Sequence, residues 1–264
     1  MPSHSTEATE PDGPTESARP SESGKPTEPG RPSESGKPSE PAGPDAYESY
    51  RKTVADSFQQ WYSSGRDSWS KGGVKSRVTE FIVESAPAAA PGKRRRVLDI
   101  GCGRGYQTAE FAEDLDADVV GLDLLDVWDP PAVERGSLLF RQGDFLDFHD
   151  GPMDLLVDGG CLHHQRRDDW EPWVRHGARL LRPGGVWAVN IFLSPDGDVV
   201  TKQLADGRHN WWLTEEAVTA LFEACGLAFS GSEEVDRNFQ YEGHWLKYLT
   251  LAFTRTSGGE PCIS

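Results

Sequence analysis

The sequence predicts an α/β fold, a mostly parallel β-sheet with helices packed on both of its faces. Three observations predict it. Short apolar runs rich in branched residues alternate with segments whose apolar residues recur every three or four positions, the rhythm of βαβ units. The first of these runs, "RVLDI" (96–100), leads directly into "GCGRG", three glycines in five positions, as a tight turn from strand into helix requires. The last two apolar runs follow one another with no helix between them, which predicts an antiparallel hairpin at the edge of the sheet.

The elements follow in order. Tyr47, Tyr50, Val54, Phe58 and Trp61 fall at helical spacing, and so do Val74, Val78, Phe81 and Ile82, so two helices precede the glycines. After the glycines "YQTAEFAEDL" is helical, "DVVGLD" (118–123) is a second strand, "LLFRQGD" (138–144) a third and "MDLLVD" (153–158) a fourth. A helix over "DDWEPWVRHGARLL" ends at "RPGG", and "VWAVNIFL" (186–193) is the fifth strand. Thr214 is placed to cap the helix "EEAVTALFEAC", Gly226 to stop it, and "LAFSGSEEV" and "LKYLTLAFTR" form the closing hairpin.

Composition divides the chain. The first 46 residues hold ten of its 19 prolines, eight serines and no aromatic residue, and they contain a tandem repeat, "RPSESGKPTEPG" then "RPSESGKPSEPAG". Such a segment cannot bury enough apolar surface to offset its chain entropy, so residues 1–45 are expected to be a disordered tail. Two proline-rich copies are too few for a folded repeat array. All nine tryptophans lie beyond the tail. Residues 46–256 are therefore expected to form one domain, with 46–90 as a helical cap and 257–264 as a flexible end.

A formal net charge of -16 argues against free nucleic acid as the partner. No apolar run approaches the roughly 20 residues that span a bilayer, and the start of the chain lacks the apolar core of a signal peptide, so a cytoplasmic protein is expected. The four cysteines (Cys102, Cys161, Cys225, Cys262) make no C-x-x-C pair, which argues against a disulfide framework and against zinc.

At the carboxyl end of the first strand of such a sheet, the glycine turn faces the ligand crevice. The Gly-Lys-Ser/Thr of a mononucleotide loop is missing. A dinucleotide fingerprint would read G-x-G-x-x-G, whereas this reads G-x-G-x-G. Asp99, at the strand end, would oppose a pyrophosphate but suits a cation. A sulfonium compound with a free amino group fits better.

With these residues the chain resembles the class I S-adenosylmethionine-dependent methyltransferases, over about residues 95–255. "VLDIGCGRG" is similar to their first motif, and further stations occur in order. The resemblance implies a Rossmann-like seven-stranded sheet of order 3-2-1-4-5-7-6 and S-adenosylmethionine as cofactor. It places Asp99, Gly101, Cys102, Gly103 and Gly105 at the cofactor. Asp123, with Leu124 beside it, would accept the ribose hydroxyls. Asp144 would meet the adenine amino group, with Phe145 flanking the ring. "DGGCLHH" resembles the segment lining the methionine end, which brings in Asp158 and Gly159, with Cys161 helping to shape that pocket.

Methyl transfer from a sulfonium needs the acceptor lone pair held in line and water excluded, and positioning alone supplies roughly 7–11 kcal/mol. His163 and His164 are the candidates for acceptor contact or for a general base, needed only where the acceptor must lose a proton. "FQQWYSSGRDSW" (58–69) loosely resembles the aromatic segment before the first motif in thiopurine-methyltransferase-like and tellurite-resistance-type enzymes. "SPDGDVVTKQLADGRHNWW" (194–212) has the length and aromatic end of a substrate lid. Trp61, Trp69, Trp211 and Trp212 are thus candidates for binding the substrate, with core packing as the alternative. "DGGC" lacks the Pro-Pro-aromatic sequence of DNA amino-methyltransferases, and no acidic set for a metal can be assembled. The expected activity is methylation of a heteroatom of a small organic molecule, with a specialised metabolite as one candidate. The alternative is a catalytically silent cofactor-binding fold serving as scaffold or regulator.

Overall fold

The computed structural model describes residues 44–65, 67, 76–241 and 244–256. The repeat-bearing segment 1–43, Trp69, Val74 and the segment 257–264 lie outside the described residues.

The chain order is α1 (Pro44–Ser63), α2 (Arg77–Ser85), β1 (Arg95–Ile100), α3 (Tyr106–Leu115), β2 (Ala117–Asp123), β3 (Ser137–Gln142), β4 (Met153–Asp158), α4 (Trp170–Leu180), β5 (Leu181–Leu193), β6 (Val200–Gln203), β7 (His209–Leu213), α5 (Glu215–Ala224), β8 (Leu227–Tyr241) and β9 (His244–Arg255). Strands β3-β2-β1-β4-β5 lie side by side and parallel. Strand β9 then runs antiparallel along β5, and β8 along β9. That path is the Rossmann-like order the sequence predicts, with its antiparallel closing hairpin.

Two strands go beyond the prediction. The segment expected to be a lid loop forms the antiparallel hairpin β6–β7. Its residues explain why: Val200 and Thr201 at one end and Trp211 and Trp212 at the other favour extended pairing, and Gly207 takes the turn at φ 89°. Strand β7 pairs with β5 at Phe192↔Trp212 and Leu193↔Leu213, whereas the last β4 pairing on β5 is Asp158↔Val189. The hairpin thus takes the edge of β5 that β4 has vacated, directly beyond the loop that follows β4. A second difference concerns "RPGG", which belongs to β5. The helix stops at Leu180, and Pro183 and Gly184 (φ 74°) are accommodated where the β4–β5 register shifts between Met153 and Leu155.

The sheet is apolar on both faces, as parallel strands covered by helices must be. Val97, Val119, Leu155, Val157 and Ala188 pack under α2 and α3 with Ile82, Phe111 and Ala112. Leu98, Ile100, Leu156, Val189 and Ile191 face α4 and α5, where Trp173, Val174, Val218 and Phe222 close the second core around Trp187. Each fully buried aliphatic or aromatic side chain contributes about 1.5–3 kcal/mol. The helix ends carry the expected caps: Thr214 Oγ1 accepts from the Ala217 N–H at 3.1 Å, and Gly226 leaves α5 at φ 82°.

Candidate cofactor and acceptor site

The turn from β1 into α3 holds Gly101, Gly103 and Gly105 at φ 71°, 54° and 83°, all left-handed. Each is also pressed by a different neighbour. A Cβ on Gly101 would overlap Cys161 Sγ, one on Gly103 the Tyr62 hydroxyl, and one on Gly105 the Trp128 ring. The N–H groups of Gly101 and Cys102 bond to the Leu122 carbonyl at 2.8 and 3.1 Å, and that of Gly105 to the Cys102 carbonyl at 2.9 Å. The glycines therefore serve close packing and backbone geometry, and these N–H groups are spent within the chain.

Three carboxylates surround the turn. Asp99 is buried under α3 and accepts from Thr108 Oγ1 at 2.5 Å. Burial pushes its pKa up to about 7; the Thr108 bond opposes this, and the charges of Asp123 and Asp158 add to it. Asp123, at the end of β2, accepts from the Gly103 N–H at 2.8 Å through one oxygen and from the Leu125 N–H at 2.8 Å through the other, and burial raises its pKa too. Leu124 beside it is half-buried, its carbonyl accepting from Gln142 Nε2 at 3.2 Å. Asp158 is sealed at the end of β4. It takes the N–H groups of Gly160, Cys161 and Leu162 and the Trp173 indole N–H at 3.2 Å, so it organises the loop after β4 and is closed to a ligand. Gly159 is exposed at the mouth, and its carbonyl accepts from Asn190 Nδ2 at 3.5 Å. Cys102 and Cys161 are half-buried thiols held protonated by burial and the nearby acids. Mutually repelling carboxylates around a left-handed glycine turn create a field that a cationic ligand relieves.

Helix α1 lies across the carboxyl ends of these strands. The Tyr47 hydroxyl meets both oxygens of Asp144 at 3.0 and 2.9 Å, and Arg51 Nη1 lies 3.7 Å from that carboxylate. Tyr50 donates to the His164 carbonyl at 2.5 Å and accepts from the His209 N–H at 2.8 Å. Ser57 donates to Asp206 at 2.6 Å. Arg104 Nε donates to Asp67 at 2.8 Å and the guanidinium carbon lies 5.4 Å from the Tyr62 ring centroid, tying the chain beyond α1 to the glycine turn.

Asp144 thus faces α1 in this structure, where the resemblance implied the adenine amino group. Phe145 departs further from expectation. It is buried in the core with ring centroids 4.6 Å from Trp173 and 5.0 Å from His176, so it is spent on packing rather than beside a nucleobase. An aromatic ring that does stand by the glycine turn, besides Tyr62, is Trp128, stacked on Phe140 at 5.2 Å. A tryptophan in the loop "DVWDPP" is the sequence signal for it.

The two histidines have separate surroundings. His164 Nδ1 is 3.0 Å from the His209 carbonyl, and the ring edge meets Phe58 at 5.4 Å, fixing the β4 loop to β7 and α1. Burial and Arg208 push its pKa down to about 4. His163 is buried against Phe192, ring centroids 4.0 Å apart, and its Nδ1 has no hydrogen-bond partner. Burial, with His164 and Arg237 adding, holds it well below the usual histidine range. Among the tryptophans, Trp61 on α1 and Trp212 on β7 are half-buried. Trp211 donates to the Gln165 carbonyl at 2.8 Å and packs edge-on against Trp170, which gives it a structural duty. Among the described residues no group of three or more His, Cys, Asp or Glu side chains is placed to hold a metal.

Residues 97–185 match the family described as methyltransferase domain. With the strand order and the glycine turn, the chain is similar over that segment to the class I S-adenosylmethionine-dependent methyltransferases. It is similar over 82% of its length to the 1,6-didemethyltoxoflavin-N1-methyltransferase of Burkholderia thailandensis, solved with 1,6-didemethyltoxoflavin and S-adenosylhomocysteine bound. The TM-score is 0.68 at 26% identity, with 93% of that chain covered. Among curated relatives, the 27-O-demethylrifamycin SV methyltransferase of Amycolatopsis mediterranei is 31% identical over 46% of this chain and 47% of its own. The ribosomal RNA large subunit methyltransferase G of Streptomyces coelicolor is 38% identical over 42% of this chain and 32% of its own. The chain thus spans about a third to a half of the length of these curated relatives. No helix among the described residues is long and apolar enough to cross a membrane.

Proposed function

We propose that the chain binds S-adenosylmethionine at the β1–α3 turn and transfers its methyl group to a heteroatom of a small organic molecule. The observation that carries this reading is the left-handed glycine turn ringed by Asp99, Asp123 and Asp158. Those charges favour a ligand bearing a sulfonium and an ammonium and disfavour a pyrophosphate. When bound, the cofactor supplies an electrophilic methyl group. Asp123, half-buried along the edge of the turn, would hold the ribose hydroxyls, and Asp99 would balance the positive end. The chain's own contribution is positioning and exclusion of water by α1, the β4 loop and the β6–β7 hairpin. His163, with its free Nδ1, is the better placed of the two histidines for acceptor contact, since His164 is occupied in joining the hairpin to the loop. The Burkholderia and Amycolatopsis proteins, by their names, methylate small molecules, which supports that acceptor class.

Calorimetry tests the first half: S-adenosylmethionine and S-adenosylhomocysteine should bind and NAD should not. Turnover of methyl-labelled cofactor against a metabolite extract tests the second, with a ribosomal RNA fraction in parallel because the Streptomyces relative is named for that substrate. Label appearing in RNA and in no small molecule would move the acceptor to nucleic acid. Asp123→Ala should weaken cofactor binding at least tenfold, the loss of one charge-assisted hydrogen bond of about 1.5–3 kcal/mol. Unchanged affinity in a folded variant would remove Asp123 from the site.

A further inference from the structure

Beyond the loop that follows β4, an arginine lies on a pair of aromatic rings. Phe192 at the end of β5 is paired with Tyr248 on β9, and the two rings stack with centroids 5.7 Å apart. The Arg237 guanidinium lies 4.1 Å from the Phe192 centroid and 4.8 Å from that of Tyr248. His163 packs on the same Phe192 ring. It also abuts the turn after β4, because a Cβ on Gly160 would come within 3.1 Å of His163 Cε1. A continuous line of contacts therefore runs from the candidate methyl-transfer position to Arg237.

Arg51, Arg104 and Arg208, the arginines bound to α1 or to the loops it covers, meet carboxylates at Glu48, Asp67 and Asp206. Among the described residues no carboxylate is hydrogen-bonded or ion-paired with Arg237, and Glu234 on the same strand is taken by Lys247 at 2.6 Å. This happens in a chain with 43 acidic and 27 basic residues. Rings occupy the face of a guanidinium and leave its N–H edge open, the edge that binds a carboxylate through two parallel hydrogen bonds. Against the same Phe192 ring lies His163, buried and with Nδ1 unpartnered.

We propose that Arg237, laid on the Phe192–Tyr248 pair beside His163, binds the methyl acceptor, and that the acceptor is a small organic acid held through its carboxylate. The proposal rests on the methyl-transfer reading above. Arg237 and His163 orient the acid, and no proton transfer through either is required. The test is a ligand-observed NMR titration of the full chain loaded with S-adenosylhomocysteine. The probes are matched pairs: benzoate and benzamide, cinnamate and cinnamamide, indole-3-carboxylate and its amide. Acids should bind and amides should not. Arg237→Gln should weaken acid binding at least tenfold, Arg237→Lys should fall between, and both should keep the wild-type melting temperature and homocysteine-cofactor affinity. Equal binding of acids and amides, no binding of any acid, or an unchanged Arg237→Gln variant would each overturn the proposal. Failure to bind S-adenosylhomocysteine at all would overturn the methyl-transfer reading and this proposal with it, which separates the two failures.

Discussion

Replacing Gly105 with alanine separates the two reasons for a glycine at that position. The backbone there sits at φ 83°, and a left-handed residue bearing a Cβ costs roughly 1–2 kcal/mol. The new methyl would also stand 2.7 and 2.8 Å from Cη2 and Cε3 of Trp128, with a third ring atom nearer still. Trp128 is held by stacking on Phe140, so the overlap must be relieved by moving a packed ring, at about 1–3 kcal/mol. The sum is about 2–5 kcal/mol, a fall in Tm of about 4–20 °C for a domain of this size. Gly92 provides the control. Its φ is 70°, but nothing lies within 4 Å of an added Cβ, so Gly92→Ala should cost the backbone part alone, about 1–2 kcal/mol. Thermal melts of both variants, and of Gly105→Ala in a Trp128→Ala background, decide the matter. Equal costs at the two glycines, or an undiminished cost once the ring is gone, would refute the packing account.

Tyr50→Phe should cost about 1–3 kcal/mol in a denaturant melt, because the buried His209 N–H loses its acceptor and the His164 carbonyl its donor; an unchanged midpoint would contradict this. Asp99 has a folded pKa of about 7 against about 3.8 unfolded, so the folded chain holds the extra proton between these values and stability is lost as pH rises through that window. The melting temperature of Asp99→Asn relative to wild type should accordingly climb between about pH 4 and 7, and a flat difference would show that the carboxyl titrates normally. His164 works in the opposite sense. Its folded pKa near 4 lies below the unfolded value of about 6.5, so between them only the unfolded chain takes the proton and stability is lost as pH falls. His164→Gln should flatten that acid-side loss, and an identical acid limb in the variant would count against it.

Much of the frame was legible because its signals are local. The strand from Met153 to Asp158 and the helix capped by Thr214 follow from apolar runs and a capping residue that need no distant partner. The hairpin β6–β7 was not, because β6 is wholly exposed and the pair becomes a strand pair only where β7 meets the edge of β5 beyond the end of β4. Periodicity put Tyr47 and Tyr50 on one side of a helix, as a core face. It could not show that their hydroxyls reach Asp144 and the His164 carbonyl, about a hundred residues away in sequence. Phe145 illustrates the reverse error: its place after the third strand suggested a nucleobase, while the 3₁₀ turn begun by Asp144 aims it into the core. Arg237 left no trace in the sequence, since a lone arginine in a strand gains meaning only from the rings that pairing sets beside it.

The way α1 is pinned has a consequence for how fast and how tightly anything can enter. Its tyrosines, serine and terminal residues touch the ends of β3, the loop after β4, the β6–β7 turn and the glycine turn, so Tyr62 cannot lift from Gly103 without loading the other attachments. A ligand crossing the backbone of Gly103 must wait for that release. If the released form is a fraction f of the population, the observed dissociation constant is the intrinsic one divided by f. Substitutions along α1 far from any ligand should therefore tighten binding by loosening the helix, and tighten it by the same factor for cofactor and product, because the toll is collected before either is recognised.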